Sequence, residues 1–428
     1  MSSISQALTD VSQAQCLGID AFALNVQHPD AEWTRASLAL LFDAAAQIGF
    51  KLFFSMDMGV IPSPMACLPL LKAYASHPAY YHYHNRPFLS TFRGGRHRGW
   101  QAALQALIPP PYFIPNFEDH PTVQVAGGAY PPSIFTTHPY LDGLMAWETA
   151  WPFAGSSNLS SALSTSLHID PSTISADATN LRVCRAHKRS YMLPVSSHQS
   201  KHCAAHGNWL RPGGLTLPRH MLLALRLRPD FVQLLTWNDA GEGHYFGNVW
   251  PESLPDADMR AVVDGWDHRG WQILIGPFVD ALKRGTNEGE GGGGAERVYP
   301  LDGKEFAGVF WYRPLLKATK GGVDRLGLGK PKGWEDVEDK VNVVVLLGRE
   351  SRGWRVRVWS SGRVVGEFEG QPGMNMYQAE AGKGEQMVQV VADDGRVVGE
   401  GKGAVGVTDR IEQLGGICNF NYQVVEIA

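Results

Sequence analysis

The sequence predicts a mixed α/β chain: a (β/α)8-type barrel lacking its first strand, followed by a carboxy-terminal β-sandwich. Three observations carry that expectation. Short apolar runs alternate with amphipathic stretches from residue 18 to about 245. A glycine-rich acidic run, TNEGEGGGGAE at 286–296, then breaks the pattern, and Val-rich segments with Gly-containing turns follow it. Strand–helix alternation over such a length builds a parallel sheet, closed as a barrel or, alternatively, doubly wound. At 428 residues the chain exceeds what one core usually organises. The expected division is 1–284 for the barrel, 285–297 for a linker or loop, and 298–428 for the sandwich.

Taken in order, residues 4–17 place Ile4, Leu8, Val11 and Leu17 in phase and predict a helix. Strands are expected at 21–26, 51–56, 88–92, 112–114, 143–147, 191–195 and 231–236. Helical patterns lie between them at 34–48, with Leu38, Leu41, Phe42 and Ala45 on one face, and at 65–75 and 217–227. No strand precedes the helix 4–17, so the barrel is expected to leave two strand edges unpaired. Beyond the glycine-rich run, strands are expected at 308–312, 341–347, 354–359, 363–368, 387–391 and 422–427. WRVRVW at 354–359 alternates with period two, as a half-buried antiparallel strand does.

A formal charge of -4 from 38 basic and 42 acidic residues gives no reason to expect nucleic acid or an anionic membrane as partner. No apolar run reaches the length of a membrane span. The five cysteines form no CxxC pair, and their odd number excludes a complete disulfide framework. MSSISQALTDVSQAQ has neither the basic nor the apolar region of a secretion signal. One glycosylation triplet begins at Asn158.

The chemistry concentrates in FVQLLTWNDAGE, residues 231–242. An apolar run of this kind predicts a strand buried on both faces. It ends in Trp237, Asn238, Asp239 and Glu242, with Gly241 allowing a tight turn. Indoles stack on sugar rings, amides bind hydroxyls, and paired carboxyls supply the acid and base of glycosidic cleavage. The alternative is a loop whose acids cap the next helix. Asp57 follows the run KLFFSM at another strand end, where a carboxylate points into a mouth rather than an apolar core. Glu148, after Trp147 in AWETAWP, is a third acid at such an end. Trp147, Trp151 and Tyr112 are candidate sugar-stacking walls.

Two other motifs have plainer structural readings. His198, His202 and His206 fall four apart around Cys203, but the segment shows no helical apolar face and no acid completing a zinc motif. Gly94–Gly99 is glycine-rich and basic without phosphate-loop spacing, and reads as a solvated loop. Neither a metal nor a cofactor is expected.

The runs GIDAFALNV (18–26), GFKLFFSMDM (49–58), RPFLSTF (86–92), YFIPNF (112–117), AWETAWP (146–152), YMLPVS (191–196) and PDFVQLLTWNDAGEGHYFG (229–247) follow one another in order. With FWYRP (310–314) and CNFNYQV (418–424), they make the chain resemble glycoside hydrolase family 71, the fungal endo-1,3-α-glucanases or mutanases. The resemblance implies an inverting hydrolase of 1,3-α-glucan with essential acids at Asp57, Asp239 and Glu242. Under it Glu242 is the general acid, Asp239 activates water, and Asp57 orients the substrate or tunes Glu242. Trp237, Asn238, His244, Tyr245, Trp147, Glu148, Trp151, Tyr112 and Asn25 are the substrate-binding candidates. A monomer acting on a polysaccharide, outside the cell or in the wall, is the expectation. The chain departs from the family's pattern in three places. It has no secretion signal or strand ahead of GIDAFALNV, it lacks the aromatic-rich run after PVS within 196–214, and it carries Arg93 where an acid is usual. Those departures keep a catalytically impaired glucan-binding relative, or a hydrolase of another glucan, as alternatives.

Overall fold

The computed structural model describes residues 2–121, 128–151, 176–254, 256–287, 298–320 and 322–428. The triplet at Asn158 and the glycine-rich run from 288 onward lie outside the described residues. The chain divides into two compact units. Among the described residues, the first takes in the chain to residue 151, then 176–194 and Pro229–Gln233. The second takes in Val195–Arg228 and Leu234–Ala428.

All seven strands expected in the first part of the chain are present. β1 (Ala21–Val26) pairs in parallel with β2 (Lys51–Asp57), and a short β3 (His82–Tyr83) forms a hairpin with β4 (Arg86–Phe92). β2 pairs with β4, and β4 with β5 (Tyr112–Pro115), again in parallel. A single parallel bridge from Asn116 to Met145 carries the row on to β6 (Gly143–Met145), which pairs with β7 (Ser190–Ser196); β10 (Phe231–Leu235) follows β7. The row β1-β2-β4-β5-β6-β7-β10 therefore runs in chain order. The row also curls on itself. The Phe231 ring of β10 lies 5.2 Å from Phe88 of β4 and 5.0 Å from Tyr83 of β3.

The middle strands are buried on both faces, as covered parallel strands are, whereas the two at the ends of the row are not. Every residue of β7 is buried, while β10 has only Leu235 fully buried, and β1 only Val26. The expectation that FVQLL is buried on both faces is thus corrected. Its apolar residues are half-exposed because the strand has a hydrogen-bonded neighbour on one side, and side-chain hydrophobicity does not report which strand ends a sheet.

Local signals explain the flanking helices. Glu32–Ile48 stops at Gly49, whose φ of 76° is left-handed and whose N–H caps Ala45 O. Its buried side chains include Leu38, Phe42 and Ala45 from the predicted face, with Leu41 at the margin. The helix Ile4–Cys16 is rotated from the predicted phase: Ala7, Asp10, Val11 and Ala14 are buried and Ile4 is exposed. That small-residue face lies against Glu32–Ile48, because small side chains let two helices approach closely.

At the amino-terminal ends of the strands, Arg86 makes a fork of two bonds to Asp142, 2.8 Å and 2.7 Å long. Asp142 also accepts the Phe113 N–H at 2.9 Å. Beside this pair an aromatic cluster of Phe53, Tyr83, Phe88, Tyr112 and Phe231 fills the same end.

The second unit holds two antiparallel sheets of four strands. One is ordered β17-β14-β13-β20 (Gly373–Glu380, Lys340–Leu347, Phe306–Tyr312, Gln423–Ile427), the other β16-β15-β18-β19 (Arg363–Glu369, Arg355–Ser360, Gln386–Val391, Val397–Lys402). Both contribute to one apolar core, with Phe310, Val343 and Val345 from the first sheet and Val356, Val358 and Val388 from the second. All six strands expected beyond the glycine-rich run are found. Gly373–Glu380 and Val397–Lys402 were missed, since GMNMYQAE and VVGEGK dilute the β-branched signal with Gly and polar residues. Two small hairpins belong to this unit as well: β8 (Gln199–Cys203) with β9 (Gly207–Arg211), and β11 (Asn238–Asp239) with β12 (His244–Tyr245).

Candidate active site

The loop leaving β10 is shaped by local backbone and capping bonds. Asp239 caps a single 3-10 turn, Ala240–Glu242, its Oδ1 accepting the Glu242 N–H at 3.1 Å. Gly243 ends the turn with φ 71°, a left-handed conformation that glycine adopts without penalty. The capping alternative for Asp239 is therefore also true: one carboxylate oxygen caps the turn, and the other faces His244 Nε2 at 3.4 Å. Ser196 Oγ donates to Leu235 O at 2.7 Å and ties the ends of β7 and β10 together just ahead of the loop.

Glu242 is held by β8. Gln199 Nε2 donates to its Oε2 at 2.5 Å, and Lys201 Nζ to its Oε1 at 2.8 Å. His244 Nε2 lies 4.0 Å from Glu242 Oε2. One reactive atom each from Asp239, Glu242 and His244 thus falls within 4.8 Å of the others. Burial pushes the Asp239 carboxyl upward, but the His244 contact and charge, the Lys201 charge and the Glu242 N–H outweigh it and hold Asp239 below the usual aspartate range. His244 itself is completely buried.

Around these acids, Trp237 is half-buried with Gly247 directly against its indole, and Asn238 is exposed. Tyr245 is not a wall for a sugar. It is buried, stacks on His268 at 4.0 Å, and donates its hydroxyl to Trp266 O. A layer of buried His198, His268, Trp271 and Tyr422 rings lies in the same unit. Burial holds His198 well below the usual histidine range and His268 down to about 3, so both imidazoles are neutral packing groups. The three histidines spaced by four do not share a helix face. His198 packs in that layer, His202 bridges Asn208 Oδ1 at 2.8 Å and Asp324 Oδ2 at 2.7 Å, and His206 sits in the β8–β9 turn.

In the first unit the remaining candidates separate by strand end. Asp57 closes β2, buried, with Oδ1 accepting the Gly59 N–H at 2.9 Å and Oδ2 accepting from Gln27 Nε2 at 3.2 Å. Asn25 is exposed on the edge strand β1, opposite Ser55 in register. Trp147 is half-buried against Phe92 at 5.1 Å, and Glu148 follows it in a 3-10 turn. Trp151 is buried 6.3 Å from Trp147. Tyr112 is at the wrong end. It opens β5 in register with Phe88, its ring belongs to the aromatic cluster, and its hydroxyl bonds Ser190 Oγ at 2.8 Å. An aromatic residue at a strand boundary carries no sequence mark of which end it occupies when the strand is only four residues long.

One acid escaped the sequence reading. Glu118, three residues beyond β5, accepts from Asn116 Nδ2 at 2.5 Å and from the Glu148 N–H at 3.2 Å and 3.1 Å. Burial pushes its carboxyl up to about 7, and the Glu148 charge adds to that against the lowering by its hydrogen bonds. The signal was present in YFIPNFED, an acid after a strand, by the same logic that selected Asp57.

Two carboxylates three residues apart, one beside a histidine and the other bonded to a lysine, with an indole just ahead of them, offer the groups that glycosidic cleavage needs. The chain belongs to Glycosyl hydrolase family 71, whose sequence model matches residues 2–428. It is 28% identical over 427 residues to glucan endo-1,3-alpha-glucosidase agn1 of Schizosaccharomyces pombe, covering 96% of this chain and 88% of that protein. It is likewise 28% identical over 419 residues to Mutanase Pc12g07500 of Penicillium rubens, covering 97% of this chain and 83% of that protein. Among solved structures, the GH99 endo-alpha-mannosidase from Bacteroides thetaiotaomicron aligns with a TM-score of 0.48 at 13% identity, over 66% of this chain and 81% of that one.

Proposed function

We propose that the protein hydrolyses 1,3-α-glucosidic bonds of fungal cell-wall α-glucan. Glu242 gives its proton to the departing glycosidic oxygen as the C1–O bond breaks. Asp239 takes a proton from the water whose oxygen bonds C1. Trp237 and Asn238 bind the substrate beside these acids, and by the family resemblance Asp57 is a further essential acid. The observation that carries this reading is Asp239 facing His244 next to Glu242 in the WNDAGE turn, with its carboxyl held below the usual aspartate range. The relatives' names, a glucan endo-1,3-alpha-glucosidase and a mutanase, supply the bond.

The acid oxygens of Asp239 and Glu242 approach within 4.8 Å. Inverting pairs stand ~6.5–9.5 Å apart to admit water. Inversion therefore requires Glu242 to leave Lys201 and Gln199 as it takes up the glycosidic oxygen. Proton NMR of the first product tests this. The β-anomer is expected, whereas an α-anomer appearing first would make Asp239 a nucleophile.

The ion pair between Lys201 and Glu242 also favours a second reading, a glucan-binding relative whose acid is permanently engaged. A reducing-end assay on insoluble 1,3-α-glucan beside a pull-down on the same polymer separates the two. Sugar release supports hydrolysis; binding without release supports the second.

The curled row of seven strands supports a (β/α) barrel within 1–284, and the shared core of the two four-stranded sheets supports a β-sandwich within 298–428, joined through 285–297. Action outside the cell or in the wall follows the name of another relative, the ascus wall endo-1,3-alpha-glucanase of S. pombe. A monomer is proposed, which sedimentation measures directly.

A further inference from the structure

Beyond the acids of the WNDAGE turn, the described residues of the second unit hold one more convergence of ligand-type side chains. Cys203, His206 and Asp256 each bring one donor atom within 4.8 Å of the other two. We propose that these three residues form a binding site for a zinc-class divalent ion at the tip of the β8–β9 hairpin.

The local chain explains why they meet. Cys203 is the last residue of β8, and His206 follows three residues later in the turn. The His206 N–H donates to Cys203 O at 3.2 Å, which folds the Cys-x-x-His segment into a tight loop. Asp256 arrives from a distant part of the sequence. Its Oδ1 accepts the N–H groups of Asp258 at 2.8 Å and Met259 at 3.4 Å, as the cap of the helix Ala257–Val263. That cap fixes the carboxylate rotamer and turns Oδ2 toward Cys203 Sγ, 3.8 Å away. A ligand whose second oxygen is already oriented by backbone donors is the arrangement that metal sites use to hold a carboxylate in place.

Geometry and chemistry both select the ion. Tetrahedral zinc, with Zn–S of ~2.3 Å and Zn–N of ~2.0–2.1 Å, separates its ligand atoms by ~3.3–3.8 Å. Closing from the observed spread requires a movement of roughly 1 Å, most simply by the exposed His206 side chain. A thiolate with an imidazole favours zinc or cobalt and disfavours calcium and magnesium, which take oxygen ligands. Three protein ligands leave a fourth position for water. Cys203 is buried, Asp256 half-buried and His206 exposed, so the ion would enter from the solvent side with the thiolate beneath it. The neighbouring His202 takes no part; it is engaged with Asn208 and Asp324.

The site also has a mechanical connection to the acids. β8 carries Gln199 and Lys201, both bonded to Glu242, and Cys203 on the same five-residue strand. An ion gripping the tip ties that strand to the helix Ala257–Val263.

Titration of the reduced full-length protein with Co2+ tests the site without reference to glucan. One ion per chain is expected, with a near-ultraviolet thiolate-to-cobalt charge-transfer band that Zn2+ abolishes by displacement, and a rise in unfolding temperature with Zn2+. Cys203→Ser should remove the band. His206→Ala, at an exposed position that leaves packing intact, and Asp256→Asn, which keeps an oxygen for the helix cap, should each weaken binding on the order of 10–100-fold or more. Cys16→Ser, which removes the exposed cysteine, should leave the band unchanged. Absence of the band in the wild-type protein, or its persistence in Cys203→Ser, would overturn the proposal.

Discussion

Lys201 Nζ donates to Glu242 Oε1 at 2.8 Å, from a side chain that is 17% exposed to one that is 26% exposed. The pair joins a hairpin strand to the turn that carries both proposed catalytic acids. It holds Glu242 in place, and the proposed acid step requires its release. Glu242→Gln keeps the shape and a hydrogen-bonding end while removing the transferable proton. General acid catalysis is worth about 10²–10⁴-fold, so turnover on 1,3-α-glucan should fall by that order while pull-down on the polymer is retained. A variant that kept full turnover would take Glu242 out of the mechanism.

His244 and Asp239 predict a pH effect. Because His244 helps to hold Asp239 below its usual range, the proposed base should stay ionised well into acid, and the acidic limb of kcat/KM should lie low. His244→Gln removes the imidazole contact with Asp239 and leaves burial less opposed. The acidic limb should then move to higher pH, with the rate near neutrality changed less than the rate in acid. A limb that stays in place would separate His244 from the base.

Glu118 gives a stability signature with the opposite sign. Its folded carboxyl titrates at about 7, above the ordinary 4.5 of the unfolded chain. Between those values the folded protein keeps a proton that the unfolded chain has lost, so stability declines as pH rises through the window and levels off above it. The decline attributable to Glu118 is on the order of 1–3 kcal/mol, reduced from the full shift because the side chain is partly exposed. Denaturant unfolding of Glu118→Gln across that range should show a flatter profile than the wild type. Parallel profiles would show that Glu118 carries no such proton.

Arg86 and Asp142 should affect stability without affecting chemistry. Their forked pair lies at the amino-terminal ends of the strands, with 29% and 11% of the side chains exposed. Arg86→Ala leaves Asp142 with a buried charge that has lost its main partner, a loss of about 2–4 kcal/mol. The unfolding midpoint should fall while KM and kcat of the folded fraction are preserved. A selective loss of kcat at unchanged stability would contradict that placement.

The seven strands of the first part were legible because each is a short apolar run bounded by turn residues, and Asp57, Asp239 and Glu242 because an acid at such a boundary is costly anywhere else. Glu118 was legible by the same rule but lay in a segment read for its aromatics. Tyr112 and Tyr245 went the other way. Both are aromatic residues beside plausible site residues, and only packing shows that one plugs the amino-terminal end and the other stacks under His268.

By itself, the amino-acid sequence determined the order of strands and helices and the two acids of the WNDAGE turn, since these depend on local periodicity and on chemistry within a few residues. Tertiary structure alone decided which strands end the row and are half-exposed, which end of β5 Tyr112 occupies, and what surrounds each acid. Gln199 and Lys201 reach Glu242, and Asp256 reaches Cys203, through contacts between segments that no periodicity relates. The charge state and partners of a carboxylate depend on that three-dimensional surrounding.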